Sequence, residues 1–199
     1  MHPALFSERK KFTNKLAVVA QAATTATGTF YLLAKNPDKQ DKLREEILAK
    51  QGKQSYLKAC IKESMRLLPV VNGNLRKTTK EYNLLGYKIP EDTMLVFFHQ
   101  SMSLMEEHYP KPKEFIPERW LTEKDDPLHH SHAHPFATTS FGFGVRMCIG
   151  RRIAELEMQI FISKVVENFQ IGWEGPPLKI APTSLNYITG PFNFIFKDV

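Results

Sequence analysis

The run Phe141-Gly142-Phe143-Gly144-Val145-Arg146-Met147-Cys148-Ile149-Gly150 constrains this chain more than any other stretch. It is a glycine-rich loop that stops where a helix-compatible segment, Gly150 to Phe169, begins. Glycines at 142, 144 and 150 let the backbone approach something flat and bulky without side-chain interference. Backbone N–H groups at a helix start favour negative charge, which suits the sulfur of Cys148. Arg146, two residues earlier, can pair with an acidic group on such a ligand. A lone cysteine is ordinarily a small buried hydrophobe. Against that stands the spacing F-x-x-G-x-R-x-C-x-G, which arises by chance on the order of once in ten thousand chains of this length.

The rest of the chain is organised around this loop. Helix-compatible sequence runs from Glu8 to Leu33, and Asn36-Pro37 reads as an N-cap with Pro at the first helical position. Asp38 to Lys50 follows as a helix with Leu43, Ile47 and Leu48 on its apolar edge, and Gly52 as its stop. Ser55 starts another helix, with Leu57, Ile61, Met65 and Leu68 at helical spacing and Pro69 as its end. Val70 to Gln100 changes to short strands with turns at Gly73, Gly86 and Pro90 to Asp92. Tyr109 to Ser140 is proline-punctuated and irregular, which in a globular chain marks a functional or wrapping loop. Gly150 to Phe169 is expected to turn Ile153, Leu156, Ile160 and Val165 toward a core, and the tail from Gln170 reads as short strands.

Composition excludes several classes. With 42% hydrophobic and 24% charged residues, a disordered tail, a coiled coil and a collagen-like repeat are out. The net charge of +6 admits a nucleic-acid partner. Yet there is no basic run of five or more, no zinc-finger spacing and no RNP-like aromatic motif, so no nucleic acid is expected. Cys60 and Cys148 make no disulfide framework and no CxxC, which makes a reducing compartment the default. No apolar run is long enough to span a bilayer, and Met1 to Lys15 shows no targeting signal.

The Cys148 loop resembles the heme-binding loop of the cytochrome P450 family, the heme-thiolate monooxygenases. The resemblance implies a mainly α fold with small β-sheets, the C-terminal part of the cytochrome P450 fold, occupying residues 1–199 as a partial domain. It implies heme b as cofactor, with Cys148 as the iron ligand and Phe141, Gly144 and Gly150 shaping the loop. Arg146 and Arg76 would bind the heme propionates. Two further motifs agree in order: the ExxR of Glu63 to Arg66, and Pro117-Glu118-Arg119-Trp120. An ExxR pair alone shares a helix face and is weak as a signal. In the family, Glu63, Arg66 and Arg119 would form a buried structural triad.

Segments Gly150 to Glu157, Phe115 to Trp120 and His134 to Phe136 resemble the mitochondrial class. That class implies an adrenodoxin-type ferredoxin, with its reductase, docking on Lys58, Lys62 and Arg152. It also implies the matrix side of the mitochondrial inner membrane for the full-length protein. Val70 to Leu75 and Ser184 to Ile188 match substrate-facing segments, apolar enough for a sterol-like or xenobiotic substrate that receives one atom of O2.

The distal helix departs from the family pattern. Ala20-Gln21-Ala22-Ala23-Thr24-Thr25 keeps Thr24 and Thr25 as catalytic candidates, but Gln21 replaces a glycine and Ala23 replaces the acid. Family chains are also more than twice this length, so a truncated form is expected. The rival reading is a non-catalytic remnant or interaction fragment that binds heme poorly. A cluster of His129, His130, His132 and His134 suggests either opportunistic metal binding or a solvated loop.

Overall fold

Four helices present apolar stripes to one another and generate the core. The computed structural model describes residues 21–49, 54–182, 185–190 and 192–199, so the helix expected before Gln21, the stop at Gly52 and the substrate-facing Ser184 lie outside it. Helix α1 covers 21–35, α2 Pro37–Leu48, α3 Ser55–Leu67, α4 His99–Ser103 and α5 Arg151–Asn168. Among the described residues, eight short strands pair antiparallel in twos. Strand β1 (Asn74–Lys77) pairs with β4 (Met94–Phe97), and β2 (Tyr82–Leu84) with β3 (Tyr87–Ile89). Likewise β5 (Phe169–Trp173) pairs with β8 (Phe194–Asp198), and β6 (Lys179–Pro182) with β7 (Asn186–Thr189).

The core joins Phe30 and Leu33 of α1, Leu43 and Ile47 of α2, Leu57, Ile61 and Met65 of α3, and Met158, Ile162 and Val166 of α5. Pro37 stands at the first turn of α2 as expected. Asn36, however, donates its side-chain amide back to the Leu32 carbonyl at 2.7 Å instead of capping α2. Leu48 is exposed, and Gln40 is buried in its place. That glutamine closes α2 onto β5, accepting from the Ile171 N–H at 2.7 Å and donating to the Ile171 carbonyl at 2.9 Å. Arg44, one turn later, donates to the Val166 and Phe169 carbonyls, which the end of α5 leaves without intrahelical partners.

Helix α5 corrects the sequence expectation. Ile153, Leu156 and Ile160 are more than half exposed, whereas Ala154, Met158, Ile162 and Val166 are buried. The buried stripe runs at i, i+4 and begins with a small and a flexible residue, so weighting by bulk places it one or two residues off. Val165 is partly buried against the core, as expected.

Two histidines and a glutamate link this fold to acidity. Burial lowers the pKa of His99, against a hydrogen bond with the Val71 backbone that raises it. Burial also lowers that of His130, helped by His129 and Lys62 and opposed by the Arg119 carbonyl. Burial pushes the Glu118 carboxyl up, but its own backbone, Lys42, Tyr56 and Lys39 outweigh this and hold it below the usual range. The unfolded histidines therefore take up protons first as pH falls. Stability is retained above 6.5 and declines below it, with a second loss beginning near 4.5 as Glu118 protonates. Urea unfolding across that range should show His99→Gln flattening the upper limb, to which each of the two histidines contributes a slope of at most about 1.4 kcal/mol per pH unit. An unchanged slope in the variant contradicts this assignment.

Candidate functional site

Backbone hydrogen bonds, not side chains, shape the Cys148 loop. Cys148 donates its N–H to the Phe141 carbonyl at 2.9 Å, Met147 to Gly144 at 3.0 Å, and Gly142 to Thr139 at 2.8 Å. Gly142 and Gly144 have φ of +72° and +64°, where a side chain is strained. A Cβ on Gly142 would also approach Asn74 Oδ1 to 3.3 Å, and Asn74 is itself fixed by donating to Thr139 Oγ1 at 2.8 Å. The loop delivers an exposed Cys148 immediately before α5, with Gly150 at the helix cap.

A cleft of about 220 Å³ opens between this loop and α1. Gln21, Ala22 and Thr25 form one wall, Val70 and Val71 another, and Cys148, Gly150 and Arg146 a third. Thr25 is buried and donates its hydroxyl to the Gln21 carbonyl at 3.1 Å, one turn back. Its neighbour Thr24 is not part of the lining. Among the described residues, no aspartate or glutamate lines the cleft. Arg76 stands just outside, its guanidinium 4.9 Å from the Phe143 ring centroid and donating to the Phe143 carbonyl at 3.5 Å. Phe141 lines the cleft and packs against the core cluster.

The residues fit a heme. Among the described residues no cluster of three His, Cys, Asp or Glu side chains can hold a metal, so Cys148 offers a single soft ligand. A single thiolate suits iron whose other positions a macrocycle supplies. Val145 and Ile149 are fully exposed, so the loop adds apolar surface beside that ligand, and Arg146 supplies a cation at the rim.

Glu63, Arg66 and Arg119 meet behind the cleft, all with fully buried side chains. Arg66 donates to both Glu63 oxygens, at 2.8 and 3.0 Å, a bidentate pair. Arg119 Nε donates to Glu63 Oε1 at 2.9 Å. The Trp120 indole donates to Oε2 at 2.9 Å, and the Ile116 N–H to Oε1 at 3.2 Å. Trp120 had no sequence signal beyond its place in the PERW segment. Arg66 also donates to the carbonyls of Ser103, Pro112 and Glu114, so one ionic cluster organises an otherwise irregular stretch.

Lys58 and Lys62 are exposed on one face of α3. They line a groove with Arg151, Glu155 and Gln159, whereas Arg152 is exposed on α5 but lies outside that groove. Lys62 also stands 5.4 Å over the Trp120 ring. The histidines are spent locally: His130 stacks on Trp120 at 4.7 Å, His129 bonds Ser131 at 2.7 Å, and His132 faces the Asp126 carbonyl at 3.2 Å.

Comparison with known proteins agrees with this geometry. The family model for Cytochrome P450 matches residues 15–196. A "Probable cytochrome P450 12c1, mitochondrial" from Drosophila melanogaster is 38% identical over 225 residues, covering 100% of this chain and 43% of its own length. The "25-hydroxyvitamin D-1 alpha hydroxylase, mitochondrial" of Mus musculus is 39% identical over 179 residues, covering 84% of this chain and 34% of its own. The solved structure "Retinoic acid bound cyanobacterial CYP120A1" superposes with a TM-score of 0.79 at 23% identity, over 90% of this chain and 43% of the other. The chain thus spans less than half the length of the proteins it matches.

Proposed function

The chain belongs to the cytochrome P450 family, and from that premise we propose that it contributes the heme-thiolate site of a monooxygenase acting on an apolar substrate. One observation carries the reading: a single cleft brings the Arg146–Cys148 loop, Val70 and Val71, and Thr25 together from three distant parts of the sequence. Heme b, bound through Cys148, supplies the redox and oxygen chemistry by which one atom of O2 enters the substrate and the other leaves as water. Arg146, with Arg76 beside the loop, offers cations for the propionates. Phe141, Gly144 and Gly150 keep the sulfur presented at the start of α5. Val70 and Val71 give the substrate side an apolar wall that excludes water, suited to a sterol-like or xenobiotic molecule. Thr25 Oγ1 holds a proton beside the cleft, and by releasing the Gln21 carbonyl it can turn that proton inward.

Electrons come, on this reading, from an adrenodoxin-type ferredoxin and its reductase, in a protein placed on the matrix side of the mitochondrial inner membrane. Support comes from relatives named mitochondrial and from the paired Lys58 and Lys62 with Arg151 nearby. Lys58→Glu with Lys62→Glu should weaken binding of an acidic ferredoxin by about tenfold or more at low salt, and the difference should shrink as salt rises. Binding that is unchanged, or changed equally at all salt, contradicts the docking face. A melting control is needed, because Lys62 also rests over Trp120.

Among the described residues no carboxylate lines the cleft, which favours a second reading, in which the chain holds heme but hydroxylates poorly. Ferredoxin-driven product formation separates the two. Turnover coupled to electron supply supports the first, and heme uptake with electron consumption but no product supports the second.

A further inference from the structure

Pro69 to Asn72, the source of the cleft's Val70 and Val71 wall, joins α3 to β1 and belongs to no helix or strand. Its backbone polar groups must therefore be met from other elements. Asn186 of β7 meets two consecutive carbonyls. It donates its backbone N–H to Val70 at 2.7 Å and its side-chain amide to Pro69 at 2.8 Å. From α4, Gln100 donates its N–H to the Asn72 carbonyl at 3.1 Å, and His99 hydrogen-bonds to the Val71 backbone. The Asn186 amide also donates to Gln100 Oε1 at 3.0 Å, which ties the two supporting elements to each other.

Asn186 is buried, as are Pro69 and Val70. An asparagine at that depth is tolerated only where its polar atoms find partners. The same strand also reaches the opposite wall. A Cβ on Gly28 of α1 would lie 3.6 Å from Ile188 Cδ1 and 3.3 Å from Leu68 Cδ1, so glycine there lets β7 and the end of α3 close on α1. Asn186 and Ile188, two positions apart, share one side of β7. One strand face thus touches both α1, which carries Thr25, and the segment that carries Val70 and Val71. Asn186 itself is not part of the cleft lining, so it acts on the cleft through the backbone it holds.

We propose that Asn186 is a positioning residue for the substrate side of the cleft. By clamping the Pro69 and Val70 carbonyls, with Gln100 as its acceptor, it sets where the Val70 and Val71 wall stands and so which apolar shapes the cleft accepts. Selectivity is then governed by a residue that touches no substrate. The inference rests on reading this cleft as the substrate side of a heme site, but the hydrogen bonds that carry it do not need heme.

Two iron ligands read the wall in the hemin-loaded chain: imidazole, and 4-phenylimidazole, whose added ring must share the cleft with Val70 and Val71. Asn186→Ala should lower 4-phenylimidazole affinity about tenfold while hemin and imidazole affinities stay within about twofold. Gln100→Glu keeps an acceptor for the Asn186 amide and should keep the parent's preference for the larger ligand, whereas Gln100→Leu should reduce it. A merely structural asparagine would weaken both ligands together. Amide exchange in the heme-free chain gives a second measurement. The Gln100 N–H, bonded to the Asn72 carbonyl, should exchange about tenfold faster in Asn186→Ala and at the parent rate in Gln100→Glu. Should Asn186→Ala fail to fold, Gln100→Leu carries the same comparison. Unchanged exchange in the disrupted variant, or equal loss of affinity for the two imidazoles, overturns the proposal. A parent that takes up no hemin counts against the heme-thiolate reading instead, and the exchange rates then decide this one.

Discussion

Glu63→Gln should leave no cooperatively folded protein. Glu63 is the shared anion for Arg66 and Arg119, and all three side chains are fully buried. Removing its charge strands two guanidinium groups where water cannot reach them, at a cost of about 3–5 kcal/mol. That is a large share of the roughly 5–15 kcal/mol that separates folded from unfolded chains. The damage also spreads, because Arg66 holds the carbonyls of Ser103, Pro112 and Glu114, and the Trp120 indole donates to the same carboxylate. Lys164→Ala breaks an ion pair of comparable length, 2.6 Å to Glu167, but on the surface. It should change stability by less than about 0.5 kcal/mol. Urea denaturation of the two variants checks the contrast. A Glu63→Gln protein that unfolds at the parent's midpoint would falsify the claim that the cluster holds the fold.

Cys148→Ala should have the opposite character, sparing the fold and removing the chemistry. The loop is held by main-chain hydrogen bonds, including the Cys148 N–H to Phe141, and alanine keeps each of them. The side chain is exposed, so thermal stability should stay within about 0.5 kcal/mol of the parent. Heme affinity should nonetheless fall by more than about a hundredfold, since changes one step removed from a metal ligand already cost 10–100-fold. Titration with hemin, followed by absorbance, measures this. Equal affinity in the two proteins would move the ligand elsewhere.

The cysteine loop was readable from its own fixed spacing, whereas the ionic triad was readable only through the family resemblance, because an ExxR pair alone is a weak signal. Glu63 and Arg66 share a helix face at i and i+3, and the glycines around Cys148 announce φ values that other residues avoid. The role of Trp120 was not readable. Its indole reaches Glu63 across 57 positions, a contact that only tertiary packing creates. The stripe on α5 was misplaced for a related reason: Ala154 and Met158 are buried because α2 and α3 fit against them, not because they are the bulkiest residues available. Gln40 was hidden as well, since a polar residue is buried only where a strand edge can satisfy it, here at Ile171. The exposed face of the β2–β3 hairpin went unread because alternation in Tyr82 to Ile89 shows which residues share a side, but not whether anything covers them.

The most direct test of the heme-thiolate assignment is a carbon-monoxide difference spectrum of the reduced, hemin-loaded chain. With Cys148 as ligand, the Soret band should fall at the long-wavelength position that thiolate ligation produces, and Cys148→Ala should lack it. A parent whose band falls at the position of histidine-ligated heme, or which takes up no hemin at all, would contradict the account.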